Sequence, residues 1–388
     1  MFSNPDNDAT FASVNCKLEN IVPLNQWLGK AGQLPLIAGP CSAESEEQVL
    51  AVARLLALQP EVSAFRAGVW KPRTRPSGFE GMGEEALQWL KTVHEETGLK
   101  TLIEVASPLH VELALRYGIS MVWIGARTTV NPFLVQEIAE SLRGTDIPVF
   151  VKNPLNPDPD LWIGSIERLN SVGIRKLAAI HRGFSFYRKS PWRNAPMWEL
   201  PIEIKRRCPS IPVITDPSHI CGNTKLLASV AQKAIDLEMD GLMLEVHHDP
   251  SSALTDKQQQ ITPDQLMTLW NILVMRSSSG DEHFELKLEQ FRSEIDRLDA
   301  ELIDILARRM ELIDEIGHYK LENNITILQL DRWREISIDR ISRAAGLGLS
   351  RHFIMQLLEI VHEESIRRQN DIMNHPSDNG TPSEVHLP

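Results

Sequence analysis

Short apolar runs alternate with helix-like stretches from about residue 34 to residue 275. The runs are LPLIAGP (34–40), SAFRAG (63–68), TLIEVAS (101–107), SMVWIGAR (120–127), PVFVKNP (148–154), KLAAIHRG (176–183), PVITDPSH (212–219) and GLMLEVHH (241–248). Each is mostly apolar and bounded by turn residues, which predicts parallel strands covered on both faces. Amphipathic segments such as EEQVLAVARLLAL and KLLASVAQKAIDLE lie between them. Eight such units in about 240 residues fit a closed (β/α)₈ barrel. A doubly wound open sheet is the alternative, but no G-x-G-x-x-G turn follows the first run.

The texture changes after residue 275. RSSSGDEH (276–283) is small and polar and is predicted to be a linker. Beyond it Leu288, Phe291, Ile295, Leu298, Leu302, Ile305, Leu306, Ile313 and Ile316 recur mostly at spacings of three and four, the mark of one long amphipathic helix. Further helices are predicted around 330–345 and 350–371, separated by Gly346 and Gly348. The expected organisation is an N-terminal extension (1–33), a barrel domain (34–275), the linker, an all-α domain of three helices (284–372) and a disordered tail (373–388).

Composition narrows the function. The chain has 388 residues, 42% hydrophobic, with no run long enough to span a membrane. The start, MFSNPDNDATFASVN, lacks the basic and apolar parts of a signal peptide, so a soluble cytoplasmic protein is expected. A net charge of −12 argues against nucleic-acid binding. Cys16, Cys41, Cys208 and Cys221 are scattered, show no zinc-finger spacing and read as buried small apolar residues, since the cytoplasm disfavours disulfides.

Polar residues stand at the C-terminal ends of nearly all eight predicted strands, the rim where such barrels build active sites. Four of them suit a borderline divalent ion such as Mn²⁺, Fe²⁺, Co²⁺ or Zn²⁺: Cys41, His219, Glu245 and Asp256. His219 has a plainer reading as a strand-end cap, with His247 or His248 as the ligand instead. A second set is basic: Arg66, Lys71, Arg73, Arg127, Lys152 and Arg182. A ring of guanidinium and ammonium groups facing inward repels itself unless anions join it, which points to phosphorylated substrates.

The segments GPCSAES, FRAGVWKPRTRPSGFEG, GARTTVNP, VKNP, DPSH-x-x-G and LEVHHDP…ALTDKQQ resemble the signatures of type I 3-deoxy-D-arabino-heptulosonate-7-phosphate (DAHP) synthases, the Iβ branch in particular. The related 3-deoxy-octulosonate 8-phosphate synthases share the barrel but lack the segment that stands here as Lys71-Pro72-Arg73-Thr74. The resemblance implies that Cys41, His219, Glu245 and Asp256 bind the metal. It implies a phosphoenolpyruvate (PEP) site of Arg66, Lys71, Glu104, Arg127, Lys152 and Arg182, with Arg73 and Thr74 on erythrose 4-phosphate. The implied reaction is an aldol-like condensation with loss of phosphate. Lys71 and Lys152 are the expected proton-transfer groups, on the expectation that a crowded cationic site lowers a lysine pKa. Iβ enzymes often carry an N-terminal ferredoxin-like regulatory domain, and the 33 residues before the first strand are too few for one.

The helical part has its own pattern. Arg309 and Lys320 are three turns apart on one helix face, and Ser365 and Gln369 share another. Arg292 lies about 25 Å from Arg309 along a straight helix, so a second, antiparallel copy is needed to bring it to the same pocket. This segment resembles the all-helical, AroQ-type chorismate mutases, which are intertwined dimers. The resemblance implies that Arg292, Arg309 and Arg332 bind the substrate, that Lys320 and Gln369 act on the ether oxygen as catalytic groups, and that Ser365 adds a contact. Gln329 and Trp333 depart from the family, where an Asp and a Glu are usual. The expectation is a bifunctional shikimate-pathway enzyme and a homodimer. The alternatives are a helical domain that only senses prephenate or chorismate, and a barrel that uses another aldehyde. Feedback by prephenate is a further expectation.

Overall fold

The computed structural model describes residues 16–29, 32–71, 78–187, 190–277, 279–328 and 339–374. Chain contacts divide it into two compact units, Met1–Ser278 and Ser279–Pro388.

In the first unit all eight predicted runs form strands. They are β1 (Leu36–Gly39), β2 (Val62–Ala67), β3 (Thr101–Val105), β4 (Met121–Ile124), β5 (Val149–Lys152), β6 (Leu177–His181), β7 (Val213–Thr215) and β8 (Gly241–Glu245). Each pairs in parallel with the next, and β1 pairs with β8, so the sheet closes. The open-sheet alternative is thereby excluded. Helices follow the strands in turn, from Glu46–Ala57 to Pro263–Ile272. Their starts are written locally. The Ser45 hydroxyl accepts the Gln48 N–H, the Asp158 carboxylate accepts that of Leu161, and Thr262 and Gln265 form a reciprocal cap.

Two apolar layers hold the barrel. The interior is filled by Ile37, Ala64, Leu102, Met121, Trp123, Phe150, Ala178, Ile180, Ile214 and Met243. Between strands and helices lies a second, larger layer that includes Phe65, Leu87, Val122, Trp162 and Leu242. Residues ahead of β1 close the N-terminal end of the interior. Trp27 and Leu28 join the inner layer, Trp27 meets Phe150 edge-on at 5.3 Å, and Lys100 donates to the Trp27 carbonyl.

Two of the four cysteines depart from the sequence reading. Cys16 and Cys208 are joined as a disulfide, with Cα atoms 5.5 Å apart. The Cys16 N–H donates to the Arg207 carbonyl, which lays the two residues side by side. Cys41 and Cys221 are free and buried.

The second unit is helical. One helix runs unbroken from Glu282 to Glu322, 41 residues, and the last spans Arg351–Asn374 and packs against it. Residues 339–346 are also helical. Phe291, Ile295, Leu298, Leu302 and Ile305, the stripe whose periodicity predicts a buried face, are exposed in the single chain. Among the described residues no helix is long and apolar enough to cross a membrane.

Candidate active site

The rim of the barrel gathers the predicted donors. Donor atoms of Cys41, Glu245 and Asp256 all lie within 4.8 Å of one another. Cys41 stands two residues beyond the end of β1, and its thiol is 3.2 Å from Asp256 Oδ2. Glu245 ends β8, and Asp256 sits in the loop beyond. His219 stands slightly apart, with Nε2 3.7 Å from Glu245 Oε1. Its other ring nitrogen, Nδ1, is 2.8 Å from Asp216 Oδ2. His247, the competing ligand, turns away: its ring stacks on His248 and its Nε2 lies 3.8 Å from Glu44.

The cluster fits a divalent cation. A thiol, two carboxylates and an imidazole are the donor set such an ion takes. A cation already shows the preference, because the Lys71 ammonium bridges the Cys41 sulfur and Asp256 Oδ2, the latter at 2.8 Å. Burial would raise Glu245, but His219, Arg66 and Lys71 outweigh it and bring its pKa down to about 2. Asp256 also lies below the carboxylate range, with Lys71 and Arg193 overcoming the effect of burial. Burial keeps His219 neutral, at about 4, leaving a free imidazole lone pair to offer. Burial pushes the Cys41 thiol up to about 12, with Glu245 adding to it, so binding a cation there releases a proton.

Beside the donors opens a cavity of about 910 Å³ lined by Lys71, Glu104, Arg127, Lys152, Arg182, Arg193 and His219, among others. Arg66 is buried and gives Nη1 to Glu245 Oε1 at 2.8 Å and Nη2 to the Cys41 carbonyl at 3.2 Å. Arg66 and Lys152 both lie over the Trp123 ring, 5.0 and 5.2 Å from its centroid. Trp123 donates its indole N–H to Glu104 Oε2 at 2.9 Å. Glu104 in turn lies so close to Gly125 that a Cβ there would stand 2.1 Å from its Oε1. Arg182 donates to Asn194 Oδ1 at 2.8 Å, and burial lowers its pKa to about 10.

The two lysines do not behave alike. Burial lowers Lys152, and the nearby Arg66 adds to it, although Asp216 lies 3.1 Å away. Lys71 goes the other way: Cys41, Glu245 and Asp256 outweigh burial and raise it. The expectation that crowding among cations lowers both is corrected for Lys71, whose nearest neighbours are anions. Arg73 and Thr74 lie outside the described residues.

Sequence reasoning missed four contributors. Asp216, three residues before His219, caps its turn and touches its ring. Trp123 looks like any core residue of an apolar strand. Arg193 and Gln259 contact Asp256 and Glu245 from outside. Only Asp216 leaves a sequence signal, the cap spacing of D-P-S-H.

Residues 14–280 match the DAHP synthetase I family. The chain belongs to that family. Similar proteins include the phospho-2-dehydro-3-deoxyheptonate aldolase of Thermotoga maritima, 28% identical over 59% of this chain and 66% of that one. The crystal structure of the DAHP synthase from Thermotoga maritima superposes with a TM-score of 0.56 at 28% identity, covering 62% of this chain and 68% of the other. The 2-dehydro-3-deoxyphosphooctonate aldolase of Syntrophotalea carbinolica is 27% identical over 60% of this chain and 86% of its own length.

This member of the DAHP synthetase I family carries a second enzyme domain, since residues 291–370 match chorismate mutase type II. Within the helical unit Arg309 donates to Ser365 Oγ at 2.8 Å, bringing the long and last helices together. Gln369 is buried, and its amide donates to the Ser365 carbonyl at 3.1 Å. Its Oε1 is buried without a hydrogen-bond partner among the described residues. Lys320 donates to the Ile327 carbonyl at 2.6 Å. Arg292 is not brought to these residues: its side chain is 60% exposed, with Glu289 3.9 Å away. Arg332, Gln329 and Trp333 lie outside the described residues.

Proposed function

We propose that the chain is a bifunctional enzyme of the cytoplasm. The barrel condenses PEP with erythrose 4-phosphate to give DAHP and phosphate, and the helical unit rearranges chorismate to prephenate. The observation that carries the first activity is the cluster of Cys41, Glu245 and Asp256 beside a cavity walled by Lys71, Arg127, Lys152 and Arg182.

Cys41, His219, Glu245 and Asp256 would hold one divalent ion, of the Mn, Fe, Co or Zn kind. Bound there, it draws electron density from the aldehyde oxygen of the acceptor. The chain's own residues do the rest. Arg66, Arg127, Lys152 and Arg182 hold the phosphate and carboxylate of PEP, and Arg73 and Thr74 hold the acceptor's phosphate. The methylene carbon of PEP bonds to the aldehyde carbon, water adds to the enol carbon, and phosphate leaves. Lys71, the ammonium nearest the donor cluster, gives a proton to the new alkoxide. Lys152, whose charge burial disfavours, is suited to take one from the incoming water, which Glu104 helps to hold.

In the helical unit Arg309, Arg332 and the Arg292 of a second copy grip the two carboxylates. Lys320 and Gln369 donate to the ether oxygen as it gains charge. The rearrangement needs no covalent step, so positioning and charge complementarity suffice. Prephenate bound there regulates the barrel.

The test assays the purified chain for PEP consumption with erythrose 4-phosphate and with arabinose 5-phosphate, and separately for loss of chorismate. DAHP formation with the four-carbon aldehyde alone is expected, and turnover of arabinose 5-phosphate instead would overturn the barrel assignment. Absent chorismate turnover combined with inhibition by prephenate would make the helical unit a sensor. Unchanged DAHP synthesis at saturating prephenate would remove the regulatory role.

A further inference from the structure

Arg193 and Gln259 offer no atom to the donor cluster, yet they connect its two carboxylates. Arg193 Nη1 donates to Asp256 Oδ1 at 3.1 Å and to Gln259 Oε1 at 2.7 Å. The Gln259 amide donates in turn to Glu245 Oε2 at 2.6 Å. This path sorts the four carboxylate oxygens. Asp256 Oδ1 and Glu245 Oε2 are taken by the relay. Asp256 Oδ2 faces Cys41 and Lys71, and Glu245 Oε1 faces His219 and Arg66.

The relay is built into the backbone at both ends. Asp256 has φ +45, and the Gln259 N–H returns to its carbonyl at 3.1 Å, so one turn carries both side chains. Gln259 is buried, and water does not compete for its amide. The Arg193 N–H donates to the Ile220 carbonyl at 3.0 Å, and the Asn194 amide donates to that of His219 at 2.7 Å. Gly222 has φ +67, and a Cβ there would stand 2.5 Å from Arg193 Cβ. Glycine is required for the arginine to lie along the turn that bears His219.

We propose that Arg193 and Gln259 are positioning residues that fix the spacing and rotation of Asp256 and Glu245 for the divalent ion. The proposal rests on the metal-dependent reading above. Two carboxylates brought together repel and swing apart unless their outer oxygens are held, and groups that orient ligands from behind govern affinity.

The test is Co²⁺ binding by the full-length chain, read by competition with a chromophoric chelator and by the thiolate-to-cobalt absorption. Gln259→Leu and Arg193→Ala are each expected to weaken Co²⁺ binding about 10- to 100-fold, and Arg193→Lys less. The double variant is expected to lose little more than the worse single one, because breaking either link breaks the relay. Wild-type affinity in both single variants, or losses that simply add in the double, would overturn the proposal. Failure of the wild-type chain to bind Co²⁺ would be a different result, overturning the metal-dependent reading beneath it.

Discussion

Asp216 Oδ2 lies 2.8 Å from His219 Nδ1, and the same oxygen is 3.1 Å from Lys152 Nζ. One buried carboxylate thus reaches both the imidazole of the donor group and a lysine of the cavity wall. Burial alone would keep Asp216 protonated, but His219 and Lys152 hold it well below its usual range. Asp216→Asn keeps the size and the cap but removes the charge. DAHP formation is expected to fall about 10- to 100-fold with the fold intact by circular dichroism. An undiminished kcat/KM would show that His219 needs no such support.

Cys41→Ala and His219→Ala test the donors themselves. Each is expected to abolish metal-dependent DAHP formation while leaving chorismate turnover in place, since the mutase residues lie in the other unit. Measuring both activities on one preparation separates loss of the site from loss of the fold. Full DAHP synthesis in either variant after metal stripping would sink the assignment.

Much of this site is legible in the sequence because a barrel strand reports its own end. An apolar run stops, a turn residue follows, and the polar residue between them faces the rim, as Cys41, Lys152 and Glu245 do. What stays hidden is sideways contact. Trp123 has the pattern of core, and only its neighbours reveal two cations over its ring. Gln259 and Arg193 are 66 residues apart and meet only after β7 and β8 are in place. The direction of the Lys71 shift likewise depends on distances to anions that no spacing encodes. Cys16 and Cys208, separated by 192 positions, pair for a tertiary reason alone.

His181 gives the barrel a pH dependence of definite sign. It is buried, Nε2 meets the Pro196 carbonyl at 2.6 Å, and burial lowers its pKa from 6.5 to about 4. The unfolded chain takes up its proton at higher pH than the folded one. The contribution to stability is therefore complete above pH 6.5 and is lost as pH falls to about 4. The shift corresponds to on the order of 3 kcal/mol. His219, lowered to the same value, acts in the same direction while no cation holds it. Unfolding measured in denaturant should show stability declining across this window, and His181→Gln should flatten the decline. An equal slope in wild type and variant would assign the dependence elsewhere.

The exposed stripe of the long helix and the isolated Arg292 make one prediction together. Phe291, Ile295, Leu298, Leu302 and Ile305 leave an apolar face uncovered, and Arg292 lies far along the same helix from Arg309. An antiparallel second copy would cover the face and deliver Arg292 to the other protomer's Arg309, Ser365 and Gln369, and each mutase site would then draw on two chains. Arg292→Ala and Lys320→Ala should each be inactive towards chorismate as pure proteins. Mixed and allowed to exchange, they form heterodimers in which one site carries both lesions and the other carries neither. With random exchange half the dimers are mixed and half of their sites intact, so about a quarter of wild-type activity should return. Recovery that grows with exchange time and stops at that level would establish the shared site. A mixture as inactive as its parts, with exchange confirmed by mass, would place the whole mutase site within one chain.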